Sequence, residues 1–325
     1  MDPLPIDTNH PSVRDFLSLV RLQVLTPLSL VINMATVLIC ATVVNPTISQ
    51  VMKIHPTSIT PNPYILGLYV LALYVGQIGY CTLLVAVTKV ETKDALVKGV
   101  GLWLVFSNFV MAAWAITWVL QWFLVATILQ GVLLLLLLYS NIALLIYHPP
   151  TSSRPFDTAL IHAPLRFFFV LPFSILLPLS LFTTLGLTYT PEHPGAPPTH
   201  YSSWHAWIGF AVVSVTNVLG LVVIVLRRDV VWCIAAVWIC ISVWTQHPKP
   251  NPVYVTELGC TLLHPLGLLA SVLYQKYSGS GSVSLPERDG DEEHPGLYRH
   301  YRGNRTQDLP APREVEDGEV WAAHG

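Results

Sequence analysis

Apolar residues in this chain fall into long unbroken runs instead of two- or three-residue patches, and polar clusters mark where each run stops. A membrane hydrocarbon core is crossed by about 20 apolar residues in a helix. On that length the pattern predicts spans over 24–44, 64–88, 99–119, 122–147, 167–187, 204–226, 230–246 and 253–275. The third and fourth runs are separated only by the few residues from Val119 to Trp122, which demands a very tight turn. Arg227, Arg228 and Asp229 alone separate the sixth from the short seventh. The prediction is an all-α, polytopic membrane bundle of about eight transmembrane helices. Residues 1–23 form an N-terminal segment, 24–277 the membrane domain, and 278–325 a polar, acidic tail. The tail is too poor in large aliphatic residues to offset its ordering entropy and is expected to be disordered.

Positive charge tests the count. With eight spans, both termini and alternate loops share one side. That side holds Arg14, Arg21, Lys89, Lys93, Lys98, Arg154, Arg166, Arg227, Arg228 and Lys276, and the other holds only Lys53 and Lys249. Lysine and arginine near span ends accumulate in the cytoplasm, so both termini are expected there. Merging the third and fourth spans would put the later basic loops on the wrong side. The first run doubles as an uncleaved targeting signal, being about 20 residues long without a small-residue cleavage site.

Composition agrees with this picture. Of 325 residues, 53% are hydrophobic and 11% charged, and mean hydropathy is +0.55. A surface so poor in charge faces lipid, since soluble chains carry roughly 25% charged residues. A net charge of −2 gives no concentrated basic face for a nucleic acid. The five cysteines all lie in apolar runs, an odd number that reads as packing rather than as disulfides. His55, His193, His200, His205 and His247 lie outside the spans beside Glu192, without the helical spacing that builds a metal site, and no metal or cofactor is expected.

Ionisable groups inside a span are costly and draw attention first. Glu257 and His264 occupy one face of the last span about 10 Å apart, at 1.5 Å per residue, with Thr261 between them and Pro265 following. This polar strip is a candidate lining for a ligand pocket or proton path; the alternative is a kinked helix with its polar atoms satisfied by neighbours. Asp229 reads as a charge at the membrane boundary. Asn33, Gln77, Asn108, Gln130, Asn141 and Asn217 read as hydrogen-bonding glue between helices. Most tryptophans mark span ends. Trp114, Trp118 and Trp238 are the ones placed to face a cavity.

In order along the chain come "ITPNPYILGLYVLALYVGQIGY", "NFVMAAWAITW", "LPFSILLPLS" and "RRDVVWCIAAVWICISVW". Over residues 55–245 these resemble the tryptophan-rich sensory protein and translocator protein group. They are similar also to a fungal multi-span membrane family of unknown function. The resemblance implies a helical bundle in which Pro61 opens the second span and Trp114 with Trp118 match a tryptophan pair. Pro172, Phe173 and Ser174 would open the fifth span, and Asp229 and Trp238 mark the seventh. Tyr69 stands where that group places a tryptophan, and Leu176 and Leu179 where it places aromatics.

Three functions follow as expectations. The first is a membrane protein that binds or moves a small apolar molecule or lipid through Trp114, Trp118, Trp238, Glu257, Thr261 and His264. The second is a scaffold whose tail recruits a protein partner. The third is a terpene-cyclase-like enzyme, disfavoured because Ala115 stands where that chemistry places its acid and Glu257 alone would serve. No catalytic residue is assigned, and the reading leans away from an enzyme.

Overall fold

The computed structural model describes residues 11–87, 92–93, 95–147, 158–189 and 203–279. The chain divides into two units, Met1–Ser280, which holds every described helix, and Gly281–Gly325, which lies outside the described residues; of the tail expected over 278–325, the first two residues belong to the last helix and the rest lies outside the described residues.

The α-helices are α1 (Pro11–Thr42), α2 (Ile48–Ile54), α3 (Pro63–Ala86), α4 (Trp103–Val119), α5 (Phe123–Tyr147), α6 (Ala159–Thr184), α7 (Ser203–Arg227), α8 (Val230–Trp244) and α9 (Asn251–Gly279), with a separate π-helical turn at Ala95–Val100 before α4. Apart from α2 they correspond one for one to the eight expected spans. Six are long and apolar enough to cross a membrane, and α4 and α8 are shorter apolar helices. The first span starts earlier than expected, at Leu17, because α1 runs unbroken from Pro11 and is not halted at the charges of Arg14 and Arg21.

The tight turns are made as required. At Gln121 the backbone is left-handed (φ 60°), and the Trp122 amide closes back on the Thr117 carbonyl, so α4 reverses into α5 within three residues. Arg228 is also left-handed (φ 52°), and the Asp229 carboxylate then caps α8 by accepting from the Trp232 amide. α2 lies in a loop expected to lack long regular helices. Thr47 and Gln50 form a reciprocal capping box that starts this short element.

α6 is the central column. It contains Pro164, Pro172 and Pro178, opens on the π-helical turn Thr158–His162 and is interrupted by a second one at Pro172–Leu176. It packs on α3, α5, α7 and α8. Its most apolar stretch is 72% buried, against 11–33% for the other five long spans, whose remaining faces are left to lipid. Around it α1, α3, α4 and α5 form one flank, and α9 joins the other by packing on α7 and α8.

Amides stitch the α1–α5 flank together and tie it to the column. Asn33 of α1 donates to Asn108 of α4 at 3.0 Å, and the Tyr74 hydroxyl of α3 donates to Asn33 at 3.4 Å. Asn141 reaches the Leu165 carbonyl on α6 at 3.4 Å. At the end of the bundle where α8 finishes, the Asn62 amide donates to the Ser242 carbonyl, and an isolated bridge pairs Thr57 with Thr188.

Candidate functional site

Asp229 is not a solvated boundary charge. Its carboxylate meets Arg166 of α6 at 2.8 Å, with the two side chains only 4% and 10% exposed. The sequence placed these residues 63 positions apart, on separate spans, and offered no signal of the pairing. A carboxylate so enclosed needs a cationic partner, and Arg166 supplies it. The pair fixes the start of α8 against the central column.

The strip on α9 is completed by α7. Glu257 and His264 are both buried, at 3% and 1% exposure. The Asn217 side-chain amide donates to the Glu257 carboxylate at 3.3 Å. The His264 Nε2 atom lies 3.2 Å from the Asn217 carbonyl oxygen, so the ring donates there as the Nε2–H tautomer. Cys240 of α8 donates its thiol to the Asn217 amide oxygen at 3.2 Å. One asparagine thus spans the gap that α9 alone leaves between its carboxylate and its imidazole. Thr261 turns its hydroxyl back onto the Glu257 carbonyl at 2.7 Å, so it contributes to the helix and not to the bridge.

Gly220 makes the imidazole contact reachable. A Cβ at that position would stand 3.2 Å from the Trp232 indole nitrogen and 3.8 Å from His264 Nε2. With no side chain there, ring and indole both come close to α7. His264 Nδ1 has no hydrogen-bond partner. Among the described residues, no three metal-ligating side chains converge on a shared point.

The tryptophans lie elsewhere in the bundle. Trp114 and Trp118 stack on each other with ring centres 5.8 Å apart, and Phe123 meets Trp118 edge-on at 5.4 Å. The Trp114 indole donates to the Ser180 hydroxyl on α6 at 3.3 Å, whereas the fully buried Trp118 indole nitrogen has no partner. Trp238 belongs to a third group. It donates to the Ile65 carbonyl at 3.1 Å and stands edge-on to Tyr69, which stacks on Phe167 at 5.1 Å. Tyr69 donates its hydroxyl to the Phe167 carbonyl at 2.8 Å. The structure therefore joins Glu257 and His264 and keeps Trp114 with Trp118, but distributes the six candidates over three places.

Sequence reasoning passed over two buried glutamines as ordinary glue. Gln77 on α3 and Gln130 on α5 are 1% and 0% exposed, and neither amide nitrogen nor amide oxygen has a partner in either side chain. Asn33 and Asn108 are just as buried, at 0% each, but Asn33, Asn108, Asn141 and Asn217 each make at least one side-chain hydrogen bond, and that is what sets the glutamines apart.

No curated protein and no solved structure matches the chain. The family model for TSPO-like proteins does match, over residues 22–270, a range that takes in the ends of the first and last spans and everything between them. This multi-pass membrane protein belongs to the TSPO-like family.

Proposed function

We propose that the protein binds or moves a small, mainly apolar molecule or lipid with a single polar handle inside its helix bundle. The observation that carries this reading is the set of enclosed, unpartnered polar groups on α3, α4 and α5: both amide atoms of Gln77 and of Gln130, and the indole nitrogen of Trp118. An amide buried without a partner costs several kcal/mol in an apolar medium, and water cannot reach it from the hydrocarbon core. A guest bearing a hydroxyl or carbonyl would supply the missing partner while its apolar body packs among the leucines and aromatics. Trp114 and Trp118 offer a stacked aromatic wall for such a body. Glu257, Asn217 and His264, with Nδ1 unpartnered, offer a second polar point on the other flank.

Orientation is part of the same proposal. The turn at Arg227 and Arg228 and the loop at Lys249 cap opposite ends of α8. The richly basic end, with Arg166, Arg227, Arg228 and both termini, is assigned to the cytoplasm on the distribution of positive charge.

Native mass spectrometry of the gently solubilised full chain tests the reading, comparing wild type with Trp114→Ala, His264→Ala, Gln77→Leu and Gln130→Leu. The expected result is a discrete small molecule on the wild type that is lost from folded Gln77→Leu or Gln130→Leu. Bulk lipid alone on all five proteins would refute it.

A further inference from the structure

Lys53 and Lys249 are 196 positions apart, and the charge pattern makes them the only basic residues expected at their end of the bundle. The fold brings both to one cavity. Its volume is about 230 Å³, and its wall includes Ser49, Thr57, Gln246 and His247 beside the two lysines, with Met52 and several prolines completing it. Among the described residues, no aspartate or glutamate lines it. A chain that spends so little charge places two cations at a single concave site, with no counter-ion among the described lining residues.

The Lys249 side chain is held from behind. Its ammonium donates to the carbonyl oxygens of Ser58 and Thr60, which uses two of its three N–H groups. The third has no acceptor among the described residues. Lys53, on the exposed face of α2, has neither an ion pair nor a hydrogen bond there. Both cations are therefore available to a guest, Lys249 held in place by two carbonyls and Lys53 exposed on α2.

We propose that this cavity binds a single compact oxyanion, a carboxylate or phosphate, carried on the headgroup of an amphiphile or free in solution. Charge-assisted bonds to such a group are the strong ones, and the remaining wall offers hydroxyl and amide groups beside apolar surface. A space of about 230 Å³ lies below the ~300–1,000 Å³ that encloses whole drug-sized ligands. It suits a headgroup, not the tail attached to it. The neighbourhood of Lys249 agrees. Burial lowers the Lys249 amine to about 7, with the Glu257 charge on α9 only partly opposing this. Lys53 on α2, His247 in the same loop and Tyr189 after α6 are the other titratable groups at the cavity. An anion seated there would restore the proton that burial removes.

The wall of this cavity includes neither the unpartnered glutamines nor Trp118, so either proposal can fail alone. The full chain in phosphatidylcholine nanodiscs is offered radiolabelled oleate, oleyl alcohol or inorganic phosphate, and bound label is counted. Wild type, Lys53→Glu, Lys249→Gln and the charge-preserving Lys249→Arg are compared. Losing one charge-assisted bond corresponds to about tenfold or more in affinity. Lys53→Glu, on an exposed helix face, is expected to weaken binding by that factor in a normally folded protein, and Lys249→Arg to retain more binding than Lys249→Gln. Oleate retained without phosphate identifies a lipid headgroup, and phosphate retained alone identifies a free oxyanion. Equal retention of oleate and oleyl alcohol, or binding indifferent to Lys53→Glu, or no binding of any probe, would overturn the assignment.

Discussion

Replacing Asp229 by asparagine tests how the central column is held. Asparagine can still accept from the Trp232 amide, so the cap on α8 survives while the charge facing Arg166 disappears. Arg166 then remains only 10% exposed with no carboxylate at 2.8 Å. Stranding a buried charge in this way costs about 3–5 kcal/mol. Arg227 lies within electrostatic reach of both partners, and its repulsion from Arg166 would no longer be offset by Asp229. Asp229→Ala should cost about 1 kcal/mol more than Asp229→Asn, because it removes the cap as well. Arg166→Met strands the carboxylate instead, and the double variant Arg166→Met/Asp229→Asn strands nothing. The double variant should therefore be more stable than either single one. The assay is reversible unfolding of the wild type and the four variants in mixed micelles by increasing dodecyl sulfate, followed by helical circular dichroism. The coupling energy of the cycle should exceed about 2 kcal/mol. Additivity within about 0.5 kcal/mol would mean that the two groups are solvated and that the pair does not anchor α8.

Two further outcomes can be checked by similar means. Since the Lys249 amine stands near 7 in the folded chain and near 10.5 when exposed, the unfolded chain binds more protons between those values. Stability should then rise with pH across that interval, by at most about 1.4 kcal/mol per unit, and level off below pH 7; Lys249→Met should remove the slope seen in unfolding titrations, and an unchanged slope would contradict the burial argument. A methyl group on Gly209 would overlap the Ser58 hydroxyl oxygen and stand 3.1 Å from Val253. Gly209→Ala should cost about 1–3 kcal/mol and shift the Ser58 carbonyl that Lys249 grips, read as a lower unfolding midpoint and a weaker pH slope; a neutral effect would mean that the loop yields freely.

Much of the bundle was legible in the sequence because a bilayer imposes a length on every apolar run. Even the turn at Gln121 could be located, since only a reversal there keeps the basic loops together. α2 was missed although the Thr47 and Gln50 spacing announces it, because prolines on both sides argued against a helix. The candidate site was far less readable. Periodicity put Glu257 and His264 on one face, but the residue that joins them, Asn217, belongs to another span and looked like five other amides. Lys53 and Lys249 were noticed only as a minority on their side. Whether Gln77 finds a partner and Asn33 does find one depends on which helices touch, and hydropathy weighs protein and lipid surroundings alike.

The enclosure of α6 bears on how the molecule is assembled during synthesis. Spans emerge in order, so α1 to α5 enter the bilayer before the column that they surround, and α7 to α9 follow it. When α6 arrives, the surface that will meet α7 and α8 has only lipid to rest on, and Arg166 has no carboxylate until Asp229 is made. The first six spans are thus an incomplete intermediate with an unpaired cation, and arrival of the α7–α8 turn is the step that closes it. A chain stopped before Asp229 should be open to quality-control recognition, whereas one stopped just after α8 has its keystone in place.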